Sequence, residues 1–203
     1  MGLLSSTTSL SRFKVDGKLD DPVIDTIAAG LKKNIITDID GNPSDRAVGW
    51  SSFHDPFKPD FEGSSFIIGT SIVFSLRIDK KSIPNKLVQK HVAVESARRL
   101  QELGRDFLSA NEKKMIKDHV INQLSLKMPA TPNVYDVVWQ YESGDLWFFS
   151  NLKSANEELE TLFIKSFGVS LVRSIPYTMA ALDKRMTASE QDALNKLSAQ
   201  QDR

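Results

Sequence analysis

Two short runs stand in an order that could hold a metal ion and cut a phosphodiester. Pro59-Asp60 is followed by Asp79-Lys80-Lys81. In metal-dependent nucleases built on Pro-Asp and a later Asp/Glu-x-Lys, two carboxylates hold a divalent cation. The lysine then orients the attacking water or stabilises developing charge. That reading requires Asp60, Asp79 and Lys81 to meet at neighbouring strand ends, with Mg2+ as cofactor. These residue types are common and the gap is loose. A strand-end aspartate and an aspartate in a Pro-flanked turn are the plainer explanation, so the nuclease stands as an alternative and no catalytic residue is assigned.

Other chemistry is thinly represented. The chain of 203 residues has no cysteine, which excludes disulfides, thiolate metal sites, iron–sulfur clusters and cysteine nucleophiles. Its three histidines, His54, His91 and His119, stand in neither a His-x-x-x-His pair nor a Gly-x-Ser-x-Gly context. They read as surface or packed residues. Asp38, Asp40 and Asp45 resemble part of a calcium loop, but Gly49 occupies loop position 12, where a carboxylate is needed. The segment reads as a turn, and no cofactor is expected outside the nuclease alternative.

The stronger signal is charge. Net charge is zero over the whole chain, yet residues 77–127 carry 12 lysines and arginines against six acids. Both flanks are mildly acidic. Lys80, Lys81, Lys86, Lys90, Arg98, Arg99, Arg105, Lys113, Lys114 and Lys117 crowd together. On an ideal helix Lys86, Lys90, Arg98 and Arg105 fall within ~120° of one another, and Lys113 and Lys117 form an i,i+4 row. Repeated cations suit a phosphate backbone, which requires charge at intervals and no base-specific geometry. The competing reading is a solvated helical face with internal pairs such as Glu95–Arg99 and Arg98–Glu102, or a surface for an acidic protein partner.

The elements that must position these residues follow from periodicity and punctuation. Residues 9–17 suit a short strand ending at Gly17. Asp20 or Asp21 can cap a helix with Pro22 in its first turn and Lys32 and Lys33 at its end. Residues 49–63 read as a short strand entering a packed loop. The Ile/Val/Phe-rich run before Asp79 reads as strand, with Gly69-Thr70 as a bulge or a tight turn. Ser82 is a candidate cap for a helix reaching Gly104 or Leu108. Ser109 and Glu112 form a capping box for a second helix to about Lys127, with Met115, Ile116, His119, Val120 and Gln123 or Leu124 as its stripe. A hairpin turning at Ser143-Gly144-Asp145 follows, then a helix with Ser154 and Glu157 as a second box and Gly168 as its stop, then a closing strand. Thr187 or Ser189 can cap a helix in the polar tail.

The expectation is an α+β fold. Mostly antiparallel strands from residues 1–79 and 129–180 make the sheet, a basic helical hairpin at 80–128 is inserted between them, and 181–203 form a tail. No run is long and apolar enough to span a membrane, and the start lacks the features of a secretory signal. A cytoplasmic protein is expected.

Several segments in order carry more than composition. These are "GLLSSTTSLSRFKVDG", "VGW" at 48–50, "FSLRIDKKSIP", "RRLQELGRDFLSANEKKMIKDHVINQL", "MPATPNVYDVVWQYESGDLWFFS" and "ELETLFIKSFGVSLVRSIPY". Over residues 3–180 the series resembles the recombination-associated protein RdgC family, as a short member. The resemblance implies a nucleoid-associated, non-enzymatic protein that binds double-stranded DNA with little sequence preference. It also implies a ring-like homodimer that limits the RecA recombinase, and a DNA-facing surface within the Lys80–Lys117 region.

Overall fold

The computed structural model describes residues 2–175, 178–180, 187, 189, 190 and 192. Its element order is β1 (Ser11–Asp16), α1 (Val23–Lys33), β2 (Arg46–Ser51), β3 (Ile67–Ile68), β4 (Ser71–Lys80), α2 (Asn85–Leu103), α3 (Ala110–Lys127), β5 (Thr131–Gln140), β6 (Asp145–Phe148), α4 (Lys153–Phe167) and β7 (Ser170–Arg173). The strands form one sheet in the order β2-β4-β5-β6-β1-β7, with β3 on β4. The expected α+β class is what is found, with a mostly antiparallel sheet and a helical hairpin between β4 and β5.

The chain divides into two compact units. One takes the described residues of 1–35, 49–76 and 134–203. The other takes 36–48 and 77–133, so it contains the hairpin together with the turn segment that precedes β2.

In the first unit, β1 pairs antiparallel with both β6 and β7, and β5 pairs with β6. Register sets which side chains share a face. Phe13, Leu146 and Trp139 lie opposite one another across β1, β6 and β5, and all three are buried. They belong to an aromatic core. Trp139 meets Phe163 at 5.0 Å and Phe167 at 5.4 Å, and Phe163 meets Phe167 at 4.7 Å. Trp50 completes the core edge-on to Phe74 at 5.0 Å. Its indole N–H donates to Ser166 Oγ at 2.7 Å, so a large ring is buried without an orphaned donor. On the other face, Asp136 accepts hydrogen bonds from Ser75 Oγ and from the Leu3 N–H.

Three helix starts differ from the sequence expectation. α1 begins after Pro22 with no side-chain cap, so neither Asp20 nor Asp21 caps it. α2 begins after Pro84, three positions beyond Ser82, and has no side-chain cap either. α4 starts at Lys153, which puts Ser154 inside the first turn, too late to cap. Glu157 lies near Lys153 instead of closing a box. In the first two cases proline takes the cap position itself. Its fixed φ and missing N–H suit a helix entrance, and the extended residues before it move the start past the nearby Ser or Asp. The stops at Gly104 and Gly168 are as expected, both left-handed C-caps. Gly69-Thr70 is the tight turn joining β3 to β4, with Ile68 opposite Ser71.

Gly30 of α1 packs directly against the end of α4. A Cβ there would lie 2.6 Å from the Ser166 carbonyl oxygen and 2.7 Å from the Phe167 ring. Alanine normally improves a helix interior over glycine by about 1 kcal/mol. Here overpacking against a backbone atom costs about 1–3 kcal/mol and reverses the sign. Gly30→Ala is expected to lower stability by up to roughly 2 kcal/mol in urea unfolding; an increase would show that α1 can shift freely away from α4.

Candidate nucleic-acid interface

All ten cations singled out in the sequence belong to the second unit. Its hairpin closes on a narrow seam of Val88, Val120 and Leu124, flanked by Ile83, Leu87, Val92, Ile116 and Ile121. The expected α3 stripe was too wide. Met115 is 70% exposed and His119 is exposed, because one neighbouring helix covers only the 116–120–124 row and leaves its flanks to solvent. α3 starts as expected. Ser109 Oγ accepts from the Glu112 N–H, and the Glu112 carboxylate accepts from the Ser109 N–H at 2.8 Å.

The ten cations do not form one class. Lys81 is buried, 5% exposed. Its ammonium donates to the carbonyls of Asn42 at 2.6 Å and Ser125 at 2.8 Å, and its N–H to Asp45 O. In this position it cannot reach a phosphate, which corrects its placement among the DNA-binding residues. It acts as a clamp between the 40–45 turn and the end of α3. Ser125 Oγ, donating to Pro43 O, and Asp40 Oδ1, accepting from the Ala130 N–H, strengthen the same junction.

Three arginines are engaged within the hairpin. Arg98 lies 3.3 Å from Glu95 and 3.2 Å from Glu102, Arg99 lies 3.5 Å from Glu102, and Arg105 lies 3.6 Å from Glu112. These are exposed pairs, of small energetic worth, but they offset the arginine charge locally. The other six cations, Lys80, Lys86, Lys90, Lys113, Lys114 and Lys117, are exposed. None of these lysines has an ion-pair partner among the described residues.

The nuclease constellation is not supported by its own side chains. Asp79 is 1% exposed, and both its oxygens accept from the Arg77 guanidinium, at 2.7 and 2.6 Å. Asp60 Oδ1 accepts from the Glu62 N–H at 2.8 Å, an ordinary turn contact. With Asp79 neutralised by arginine and Lys81 committed to two carbonyls, the residues present do not fit a Mg2+ site. The 38–45 segment is a turn, as read: Asp38 Oδ1 accepts from the Asp40 N–H and Asn42 Oδ1 from the Ser44 N–H. Among the described residues no group of three or more His, Asp or Glu side chains could hold a metal ion.

His54 is exposed in the loop after β2, edge-on to Phe53. His91 and His119, set aside in the sequence, line one groove between α2 and α3 together with Glu95, Gln123 and Lys127. Their i,i+4 relations to Glu95 and Gln123 carried that signal. What was missing was which faces of the two helices meet.

Among the described residues, no helix is long and apolar enough to cross a membrane. Of the tail, Thr187 exchanges hydrogen bonds with Glu190; most of the expected helix lies outside the described residues. No family model and no curated protein matches the chain.

The capping box has a pH signature. Hydrogen bonds from the Ser109 N–H and then its hydroxyl, aided by Arg105 and Arg99, outweigh a small desolvation effect and hold the Glu112 carboxyl below its ordinary 4.5. A depressed carboxyl pKa contributes stability that is complete above the unfolded value and is lost as pH falls through the lower folded one. Thermal unfolding followed by circular dichroism is therefore expected to show a falling midpoint below about pH 4.5. Glu112→Gln removes the titrating carboxyl and should flatten that acid limb, whereas Ser109→Ala, which keeps the Ser109 N–H, should flatten it only in part. An acid limb unchanged in Glu112→Gln would remove the box as its cause.

Proposed function

We propose that this chain is a sequence-nonspecific double-stranded-DNA-binding protein acting in recombination or replication. The observation that carries the reading is the set of six exposed lysines around α2 and α3 without ion-pair partners among the described residues. A cation already matched by a neighbouring carboxylate releases little counterion from DNA, whereas an unmatched lysine can neutralise a phosphate directly. The ordered resemblance to the RdgC family supports the same class. It also supplies the finer reading: a nucleoid-associated homodimer that closes as a ring around duplex DNA and limits RecA. The six lysines present mobile single-point ammonium groups in place of the forked donors that base readout demands.

Charge neutralisation separates the cations experimentally. Each lysine that contacts a phosphate contributes roughly −0.9 to the slope of log K against log salt. Lys86→Gln with Lys90→Gln, or Lys113→Gln with Lys117→Gln, is expected to flatten the slope by roughly 1–2 and to weaken duplex binding several-fold or more at moderate salt. Arg98→Gln with Arg105→Gln should change it less. Equal losses from the arginine and lysine pairs would overturn the sorting by ion pairing. Survival of full affinity after all four lysine changes would overturn DNA binding by this surface. Incubating duplex with the protein and Mg2+ or Mn2+ tests the enzyme alternative, for which no cleavage is expected. A mass measurement with and without a short duplex tests the dimer. Retention of an acidic protein in a pull-down after nuclease treatment would favour a protein partner instead.

A further inference from the structure

The groove between α2 and α3 joins the sequence's two least regarded histidines to a lysine. On α3, His119, Gln123 and Lys127 stand at i, i+4 and i+8, one above the other along a single face. On α2, His91 and Glu95 stand at i and i+4. The two rows line one shallow cavity of about 250 Å³, floored by Val120 and Leu124. An imidazole, an amide and an ammonium therefore share a wall opposite a second imidazole.

The charged neighbours decide what this groove accepts. His91 faces His119 and Lys127 of α3, with Glu95 on its own helix. His119 faces Glu95 and Arg99 of α2, with Glu112 on its own helix. Glu95 lies beside Arg98, and Glu112 is tied to Ser109 and lies near Arg105. Both carboxylates thus already have cationic or N–H partners. Protonating the two imidazoles adds up to two positive charges next to Lys127, against the one carboxylate in the groove lining, Glu95, which already lies beside Arg98. Histidine is the side chain whose ordinary titration falls between pH 5 and 8, and a phosphodiester carries the charge that would favour its protonated form.

We infer that this groove is a proton-dependent phosphate subsite, in which His91, His119 and Lys127 hold one backbone phosphate and Gln123 donates a neutral hydrogen bond. The inference rests on the DNA-binding reading and extends it to residues outside the lysine set. A phosphate entering the groove favours imidazolium, so duplex binding takes up protons, and by linkage acidification tightens binding. The shared chemistry is a tetrahedral phosphate oxyanion. A free phosphate ion and a nucleic-acid backbone are its two sources.

The test measures duplex affinity and its salt dependence at pH 6 and pH 8 for the full chain and for His91→Gln with His119→Gln. Both positions are exposed on helices, so the variant should keep its fold, checked by circular dichroism. The parent chain is expected to bind on the order of tenfold more tightly at pH 6 than at pH 8, with a salt slope steeper by up to roughly 1. The double variant should lose most of the pH difference, its affinity staying nearly constant between pH 6 and pH 8. Binding that does not respond to pH, or a response that survives in the double variant, would overturn the subsite while leaving the lysine surface standing. Loss of duplex binding at both pH values would overturn the DNA reading instead. A separate readout then decides the groove: the imidazole proton resonances of His91 and His119 are followed while inorganic phosphate is added at pH 6. Shifts with phosphate alone would support a phosphate-ion site. Their absence with both phosphate and duplex would overturn the inference.

Discussion

Burying an ammonium group costs several kcal/mol unless polar atoms replace its water. Lys81 is the lysine for which the second unit meets that condition. Two carbonyls receive its Nζ, one from the 40–45 turn and one from the last turn of α3. Hydrogen bonds to a charged group are worth about 1.5–3 kcal/mol each, so these contacts offset much of the desolvation. They also fix where the turn lies against the helix, and Ser125 and Asp40 add neutral or backbone bonds to the same junction. The hairpin's apolar seam is thin, with one buried side chain on α2, so this polar clamp carries an unusual share of the unit's definition.

A charge satisfied inside the protein is spent as far as a ligand is concerned. Arg77 and Asp79 satisfy each other, and Arg98, Arg99 and Arg105 lean on Glu95, Glu102 and Glu112. Among the described residues the exposed lysines have no such neighbours. The same ten cations therefore divide into a structural lysine, three screened arginines and six lysines facing solvent. The proposed DNA surface consists of the last group, and the histidine-lined groove lies in the same hairpin. Salt sensitivity and weak sequence preference are the behaviour such a surface supports, because mobile ammonium groups on long stems track a phosphate chain without reading base edges.

Much of the fold was legible because its signals are local. The capping box of Ser109 and Glu112, the glycine stops at Gly104 and Gly168, and the turn at Ser143-Gly144-Asp145 act within a few residues, and each formed as read. The failed caps at Asp20, Ser82 and Ser154 show the limit. A nearby cap residue competes with proline geometry and with tertiary packing, and both can move a helix start by a turn. The stripe on α3 erred for another reason. Periodicity shows that residues share a face, but the width of the buried part depends on how many neighbours cover it.

The sequence by itself determined the order of strands and helices, the antiparallel hairpins and the concentration of positive charge between residues 77 and 127. These follow from side-chain period, turn chemistry and composition, which act along the chain. Only the tertiary structure decided what each charge does. Lys80 and Lys81 are adjacent and chemically identical, yet one is exposed and the other buried among carbonyls. Asp79 looked available for a cation and is closed by Arg77. His91 and His119, 28 positions apart, line one groove. Such assignments depend on distances between groups remote in sequence, or on the side to which a strand end turns, and electrostatic interaction is set by those distances and by access to water.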